Sequence, residues 1–358
     1  MFGGETTKMK KMKKLLAGTL GMAMVFGLTA CGGSKSYDAE INVYNWGDYI
    51  EDTHVIADFE KEYNIKVNYE MFDTNEDMYI KVKNHAADYD VIIPSDYMIE
   101  KMEKEGMLEE LDFDNIPNYK YIGDDFKNLS YDPENKYSVP YMWGTVGILY
   151  NKSLMDEVPD SWSYLWDEKY KGQIYMLNSQ RDSIAVALKY LGYSINTKDP
   201  QELAEAEQAL IDQKPLVQAY VGDEVKDQMI QGSAAMAVVW SGDAAYCMSN
   251  NEDLDYVIPK EGTNYWFDAM AIPTTCQNKE AAELFINYMC RTDVALANVE
   301  YIEYSTPHTG AMEELGEEVT SDRRFYPTSE DMQNFELFYD LADSLSLYDE
   351  IWTRVTAN

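Results

Sequence analysis

Two hydrophobic periods alternate along this chain. Short runs rich in β-branched and aromatic residues are separated by stretches in which apolar positions return every three or four residues. The first pattern predicts strands over 41–46, 66–72 and 90–93; the second predicts helices over 53–63, 75–84 and 98–105, the last closed by Gly106. The run DVIIPS is continuous and stopped by Pro94, which suits a strand covered on both faces. Strands alternating with helices of about ten residues imply βαβ units and a parallel sheet. A second series follows PYMWGT at 140–145. There GILYN, QIYML, AMAVVW and LDYVIP read as strands, and 181–191 and 200–213 as helices, the second N-capped by Asp199. The apolar segment YWFDAMAIP at 265–273 is placed to cross back to the first series, with a helix over 279–291 covering it.

The expected architecture is therefore α/β, with two lobes and a cleft between them. Lobe one takes 38–145 plus 267–311 and lobe two 146–266 plus 312–358, with the hinge near 143–146, 265–268 and 305–312. A chain of 358 residues with 46% hydrophobic content can bury two such cores. In open α/β sheets ligands sit beyond the carboxyl ends of the strands, where the winding reverses. Trp46 ends the first strand and leads into Gly47-Asp48; Trp240 ends AMAVVW and leads into Ser241-Gly242-Asp243; Ser95-Asp96-Tyr97 ends the third strand. The two series thus have matching mouths.

The first 30 residues are different in kind. Lys10, Lys11, Lys13 and Lys14 precede an uncharged run over 15–30, as in a secretory signal peptide. Leu28-Thr29-Ala30-Cys31 resembles the lipobox of bacterial lipoproteins, which implies acylation of Cys31, a tether over 31–37 and an extracytoplasmic location at the membrane surface. Without residues 1–30 the chain keeps 24 basic and 63 acidic residues, a formal charge of −39. Such a surface repels nucleic acid and attracts cations. Cys247, Cys276 and Cys290 show no disulfide or zinc spacing, and His54, His85 and His308 no metal-ligand spacing, so neither metal nor cofactor is expected.

The charged residues near the candidate mouths are mostly acids: Asp48, Asp96, Asp182, Asp243 and Asp268. A bound anion calls for Arg, Lys or helix N-termini. Alkyl ammonium ions fit better, because carboxylates pair with each nitrogen while aromatic faces cover the methylenes, at about 0.5–2 kcal/mol per cation–π contact. Carboxylates with no cation among them need a ligand that supplies the charge. Each residue also has a plain structural role, tryptophan as core and aspartate as helix cap, so the inference rests on their convergence. Two alternatives stand beside it. One is a receptor for another cationic or polar solute. The other is a secreted glycoside hydrolase using paired carboxylates, against which no nucleophile elbow, metal motif or Ser-His-Asp arrangement is present.

YNWGDYI, YDVIIPSDYM, YSVPYMWGT, SWSYLWDEKYKG, ALKYLGYS, PKEG followed by YWFDAMAIP, and EYSTPH occur in that order over nearly the whole chain beyond the signal segment. Together they resemble the spermidine/putrescine-binding proteins of bacterial polyamine transporters. The resemblance implies the periplasmic-binding-protein fold, a polyamine ligand, delivery to an ABC permease, no catalysis and a monomeric receptor. It assigns Trp46, Tyr49, Ser95 and Tyr97 to one wall and Asp182 and Trp240 to the other. It further assigns Trp266 with Asp268 as the Trp-x-Asp that grips an amine, Asp243 as an acid of the putrescine-specific branch, and Tyr304 near the second crossover. Ser179 replaces an aspartate of the spermidine binders, Gly47 replaces a hydroxyl residue, and a glutamine is unmatched around Phe338. These departures and Asp243 lean toward putrescine.

Overall fold

The computed structural model describes residues 36–51 and 53–357. The first series is β1 (Ala39–Trp46), α1 (Val55–Tyr63), β2 (Ile65–Phe72), α2 (Asn75–Lys83), β3 (Val91–Ile92) and α3 (Asp96–Lys104). β1 pairs in parallel with β2 on one side and β3 on the other, so the winding reverses across it. The crevice that such a reversal opens lies at the carboxyl ends of β1 and β3, next to Trp46 and Ser95.

The second series is β4 (Ser138–Asn151), β5 (Ile174–Leu177), α4 (Gln180–Leu191), α5 (Pro200–Gln213), β6 (Val217–Val221), α6 (Val225–Ile230), β7 (Met236–Trp240), α7 (Ser241–Asn250), β8 (Leu254–Val257) and β9 (Tyr265–Ala271). β5 lies parallel to β6 and β7, repeating the arrangement around β1. The chain ends with α8 (Lys279–Met289), α9 (Thr292–Ile302), α10 (Thr309–Leu315), α11 (Glu317–Thr320) and α12 (Leu345–Ala357). One hydrogen-bonded path runs β2-β1-β3-β9-β4-β7-β5-β6, with β8 also on β4.

β4 joins the two halves. Residues 138–145 run antiparallel to β9, and from Val146 the same strand runs antiparallel to β7 and β8. The sequence pattern finds only its second half, GILYN, because Pro140, Gly144 and Gly147 look like breaks. Each has a local cause. Pro140 sits at a register shift, where a missing N–H is tolerated. A Cβ on Gly144 would lie 2.7 Å from the Trp266 ring and 2.6 Å from Ser241 Oγ, and one on Gly147 2.5 Å from Tyr256. Glycine lets those side chains approach the backbone.

Helices fix the strand ends from both sides. Phe59 of α1 meets Phe285 of α8 edge-on at 5.1 Å, over Ile41 and Val43 of β1. α4, α5 and α12 interlock through Leu188, Leu210, Tyr348 and Ile351. Each such buried side chain contributes about 1.5–3 kcal/mol, so the loops after the strands hang from a rigid frame. The helix expected over 279–291 is present as α8; the sequence pattern does not predict β6, α6, α7 or α9 to α12. Asp199 caps α5, accepting from Gln201 N. Among the described residues, no helix is long and apolar enough to cross a membrane. Cys31 and the segment over 1–30 lie outside the described residues.

Candidate ligand-binding cleft

Asp268 lies in the middle of β9, where the chain passes beside the end of β3, and Ser95 forms a single antiparallel bridge with it. The Ser95 hydroxyl donates to Asp268 Oδ1 at 2.7 Å and the Tyr49 hydroxyl to Oδ2 at 2.8 Å. The side chain is only 5% exposed. Burial pushes its pKa up to about 7 despite these two donors. No lysine or arginine contributes to that balance, so this carboxylate is solvated by neutral hydroxyls alone.

Asp182 sits in the first turn of α4, where a negative charge suits the helix dipole. Ser179 is the N-cap: its oxygen accepts from Asp182 N, and its hydroxyl donates to Asp182 Oδ2 at 2.7 Å. Burial raises the Asp182 pKa to about 6, while Ser179, the adjacent Arg181 and the Trp240 indole hold it down. Arg181 is itself 5% exposed and spans the cleft. Its guanidinium lies 4.2 Å from the Phe338 ring and 5.1 Å from the Tyr97 ring. Tyr97 accepts from Asn75 Nδ2 at 3.0 Å and donates to Glu76 Oε1 at 3.1 Å. Asn75 also donates to Ser95 Oγ at 3.1 Å, so hydrogen bonds link the Tyr97 wall to Asp268.

The third carboxylate, Asp243, opens α7. Its Oδ1 faces the Lys226 ammonium at 3.7 Å, while the buried Oδ2 has no hydrogen-bond partner of ordinary geometry. Burial again raises the pKa to about 6, with Lys226 and the Tyr304 hydroxyl opposing. The preceding Gly242 has no room for a side chain, because a Cβ there would lie 2.4 Å from the Tyr304 ring. Tyr304 meets Tyr49 at 5.8 Å and Trp266 at 5.2 Å, both edge-on. The rings of the crossover segments therefore connect Asp268 to Asp243. The Nε1 atoms of Trp46 and Trp266, like Asp243 Oδ2, are buried and unpartnered, an uncommon state for such groups.

The structure thus draws Tyr49, Ser95, Tyr97, Asp182, Trp240, Asp243, Trp266, Asp268 and Tyr304 into one connected set. Trp46 is tied in least directly: it packs on Phe72 at 4.5 Å. Asp96 is structural. It is fully buried, accepts from Tyr97 N and Phe267 N, and has its pKa raised by burial. Asp48 occupies a turn at φ 49° and is exposed. The expectation of carboxylates with no cation among them is corrected: Arg181 stands beside Asp182 and Lys226 beside Asp243. Sequence reading missed both, along with Asn75 and Glu76. The one signal available was Ser179-x-x-Asp182, a helix-start pattern that places residue 181 in the first turn.

Tyr304 also lines a cavity of about 350 Å³ with Val299, Glu303, Leu315, Phe325 and Tyr326, but Asp182, Asp243 and Asp268 do not reach it. Among the described residues, no group of three or more His, Cys, Asp or Glu is arranged to hold a metal ion.

Known proteins resemble this chain in sequence and in fold. The chain is 35% identical over 336 residues to the spermidine/putrescine-binding periplasmic protein of Escherichia coli K12, covering 92% of this chain and 96% of that one. A solved structure from Listeria monocytogenes, assigned to a spermidine/putrescine ABC transporter, is 44% identical. It superposes with a TM-score of 0.85 over 88% of this chain and 98% of that one. The substrate-binding protein of the Streptococcus pneumoniae spermidine/putrescine ABC transporter is 43% identical, with a TM-score of 0.77 over 89% of this chain and 99% of that one. These neighbours share the two-lobed periplasmic-binding-protein fold, and they leave the hydrolase alternative without support. Residues 54–327 match the model for bacterial extracellular solute-binding proteins, and the chain belongs to that family.

Proposed function

We propose that this protein is the extracytoplasmic receptor of a polyamine ABC transporter, holding putrescine or spermidine between its lobes and passing it to the permease. The observation that carries this reading is Asp268, a buried carboxylate with two hydroxyl donors and no protein cation. A buried charge is stable only when paired, and an alkyl ammonium supplies both the charge and the N–H donors. Trp46, Tyr49, Tyr97, Trp240, Trp266 and Tyr304 cover the methylenes; Asp182 and Asp243 receive the remaining nitrogens. Lobe one is 38–145 plus 267–311 and lobe two 146–266 plus 312–358, a division supported by the change of β4 partners between Thr145 and Val146. The protein works as a monomer, anchored through acylated Cys31 after loss of residues 1–30, and performs no catalysis.

Calorimetric titration with putrescine and with spermidine tests the reading. Saturable binding that weakens with added salt is expected, and mass measurement of small molecules released on unfolding should find the same amine. Absence of heat with both amines, in protein shown to be free of bound ligand, overturns it.

A further inference from the structure

Lys226 lies outside the residues that the family resemblance assigns, yet it holds one of the three buried carboxylates assigned to the cleft. It belongs to the first turn of α6, its side chain is 21% exposed, and its ammonium lies 3.7 Å from Asp243 Oδ1 and 5.9 Å from the centre of the Tyr246 ring. Those are the two contacts, carboxylate and aromatic face, that recognise a primary alkyl ammonium. Burial pulls the Lys226 pKa down, and Asp243, Asp223 and Asp48 more than compensate, so the side chain stays charged. The last two carboxylates are exposed and screened. Asp243 is not: it is 5% exposed, with its second oxygen unpartnered and Tyr304 of the cleft wall packed against Gly242.

From this juxtaposition we infer that Lys226 is a specificity-determining residue, a built-in ammonium that occupies half of Asp243 and so limits the positive charge the cleft accepts. This rests on the polyamine-receptor reading. Of the three buried carboxylates assigned to the cleft, Asp182 has Arg181 and Asp243 has Lys226; only Asp268 presents an uncompensated charge. A diamine brings two ammonium groups and a triamine three. Each further ammonium has to approach a carboxylate that already feels a protein cation, Lys226 at 3.7 Å from Asp243 or the adjacent Arg181 for Asp182, and the repulsion between the two cations opposes it. Lys226 acts on the ligand partly through Asp243, since its charge also keeps that carboxylate ionised against burial.

The test is the ratio of putrescine to spermidine dissociation constants, measured by calorimetry on the whole protein at pH 8, where all three carboxylates are ionised. Lys226→Met removes the charge and keeps the alkyl stem. The ratio is expected to move toward spermidine by on the order of tenfold, whereas Lys226→Arg, which keeps the charge, retains the original order. Asp243→Asn leaves Lys226 uncompensated and should move the ratio the opposite way; this second variant decides the matter if Lys226→Met unfolds. A ratio unchanged within about twofold in Lys226→Met, or moved the same way by both substitutions, overturns the inference while leaving the receptor reading intact. Failure of the unsubstituted protein to bind either amine overturns both.

Discussion

The buried carboxylates of the cleft solve the same problem in opposite ways. At β9, Asp268 is buried with hydroxyls from Ser95 and Tyr49 and no cation. At α4 and α7, Asp182 and Asp243 are equally buried, but each has a protein cation, Arg181 or Lys226, beside it. Hydroxyl bonds offset only part of the cost of burying a charge, and a nearby cation adds to that offset. Burial raises all three pKa values, to about 7 for Asp268 and about 6 for the other two. The carboxylate without a cation therefore has the most to gain from an ammonium ligand, and the compensated carboxylates are left to tune which amine fits.

The sharpest way to break this comparison is Asp268→Asn. The amide keeps the shape and an acceptor for one hydroxyl, but it loses the charge, and amine affinity is expected to fall by about 2–5 kcal/mol, thirtyfold to several thousandfold. Calorimetry checks this directly. An affinity within threefold of the unsubstituted protein would mean that the amine is held elsewhere.

A pH series comes next in size. Amines stay protonated well above neutrality, so affinity follows ionisation of the carboxylates and should rise with pH to a plateau near pH 8. Asp268 alone, with its pKa near 7, should make binding at pH 5 about a hundredfold weaker than at pH 8. Stability of the empty protein should move the other way. All three folded-state pKa values are raised above those of the unfolded chain, so their contribution is full below about pH 4 and is lost as pH rises through about 6 to 7. Thermal unfolding of the empty and amine-loaded protein should therefore diverge across this window, with the empty form falling. In Asp268→Asn most of the divergence should vanish.

How much of this was readable from the sequence differs between the same two regions. The strand-ending residues Trp46, Ser95, Tyr97 and Trp240 were legible because strand periodicity says where a parallel strand stops, and ligands gather there. Asp182 was legible for a local reason, its place in the first turn of the helix expected over 181–191. The compensating cations were not. Arg181 turns inward only because Phe338 and Tyr348, far along the chain, offer it ring faces at 4.2 and 5.6 Å. Lys226 turns inward because α6 happens to pack on α7. Nothing within a few residues of either distinguishes it from the many solvated charges of this surface. β4 was half hidden for the opposite reason: with all fourteen residues buried it has no polar–apolar alternation, and its glycines answer to Trp266 and Tyr256 in distant strands.

The smallest effect belongs to Asp182→Asn, and its smallness is the point. The positive field of the adjacent Arg181 already favours the charge of this carboxylate, so a ligand ammonium gains less from it than from Asp268. The Ser179 hydroxyl can still donate to the amide oxygen, and Ser179 still caps α4. Two costs remain. The first turn of α4 loses a charge that suits its dipole, about 0.3–1 kcal/mol of stability. The buried Arg181 loses a counter-charge, although Tyr339 O, Asn196 Oδ1 and three aromatic rings still surround it. Amine affinity should fall by about tenfold or less, roughly the 1.4 kcal/mol of a single weak charge contact. The loss should also be larger for spermidine than for putrescine, because the third ammonium depends on the compensated carboxylates. If Asp182→Asn instead cost as much as Asp268→Asn, for both amines alike, Arg181 would not be acting as a counter-ion and the contrast between the two carboxylates would collapse.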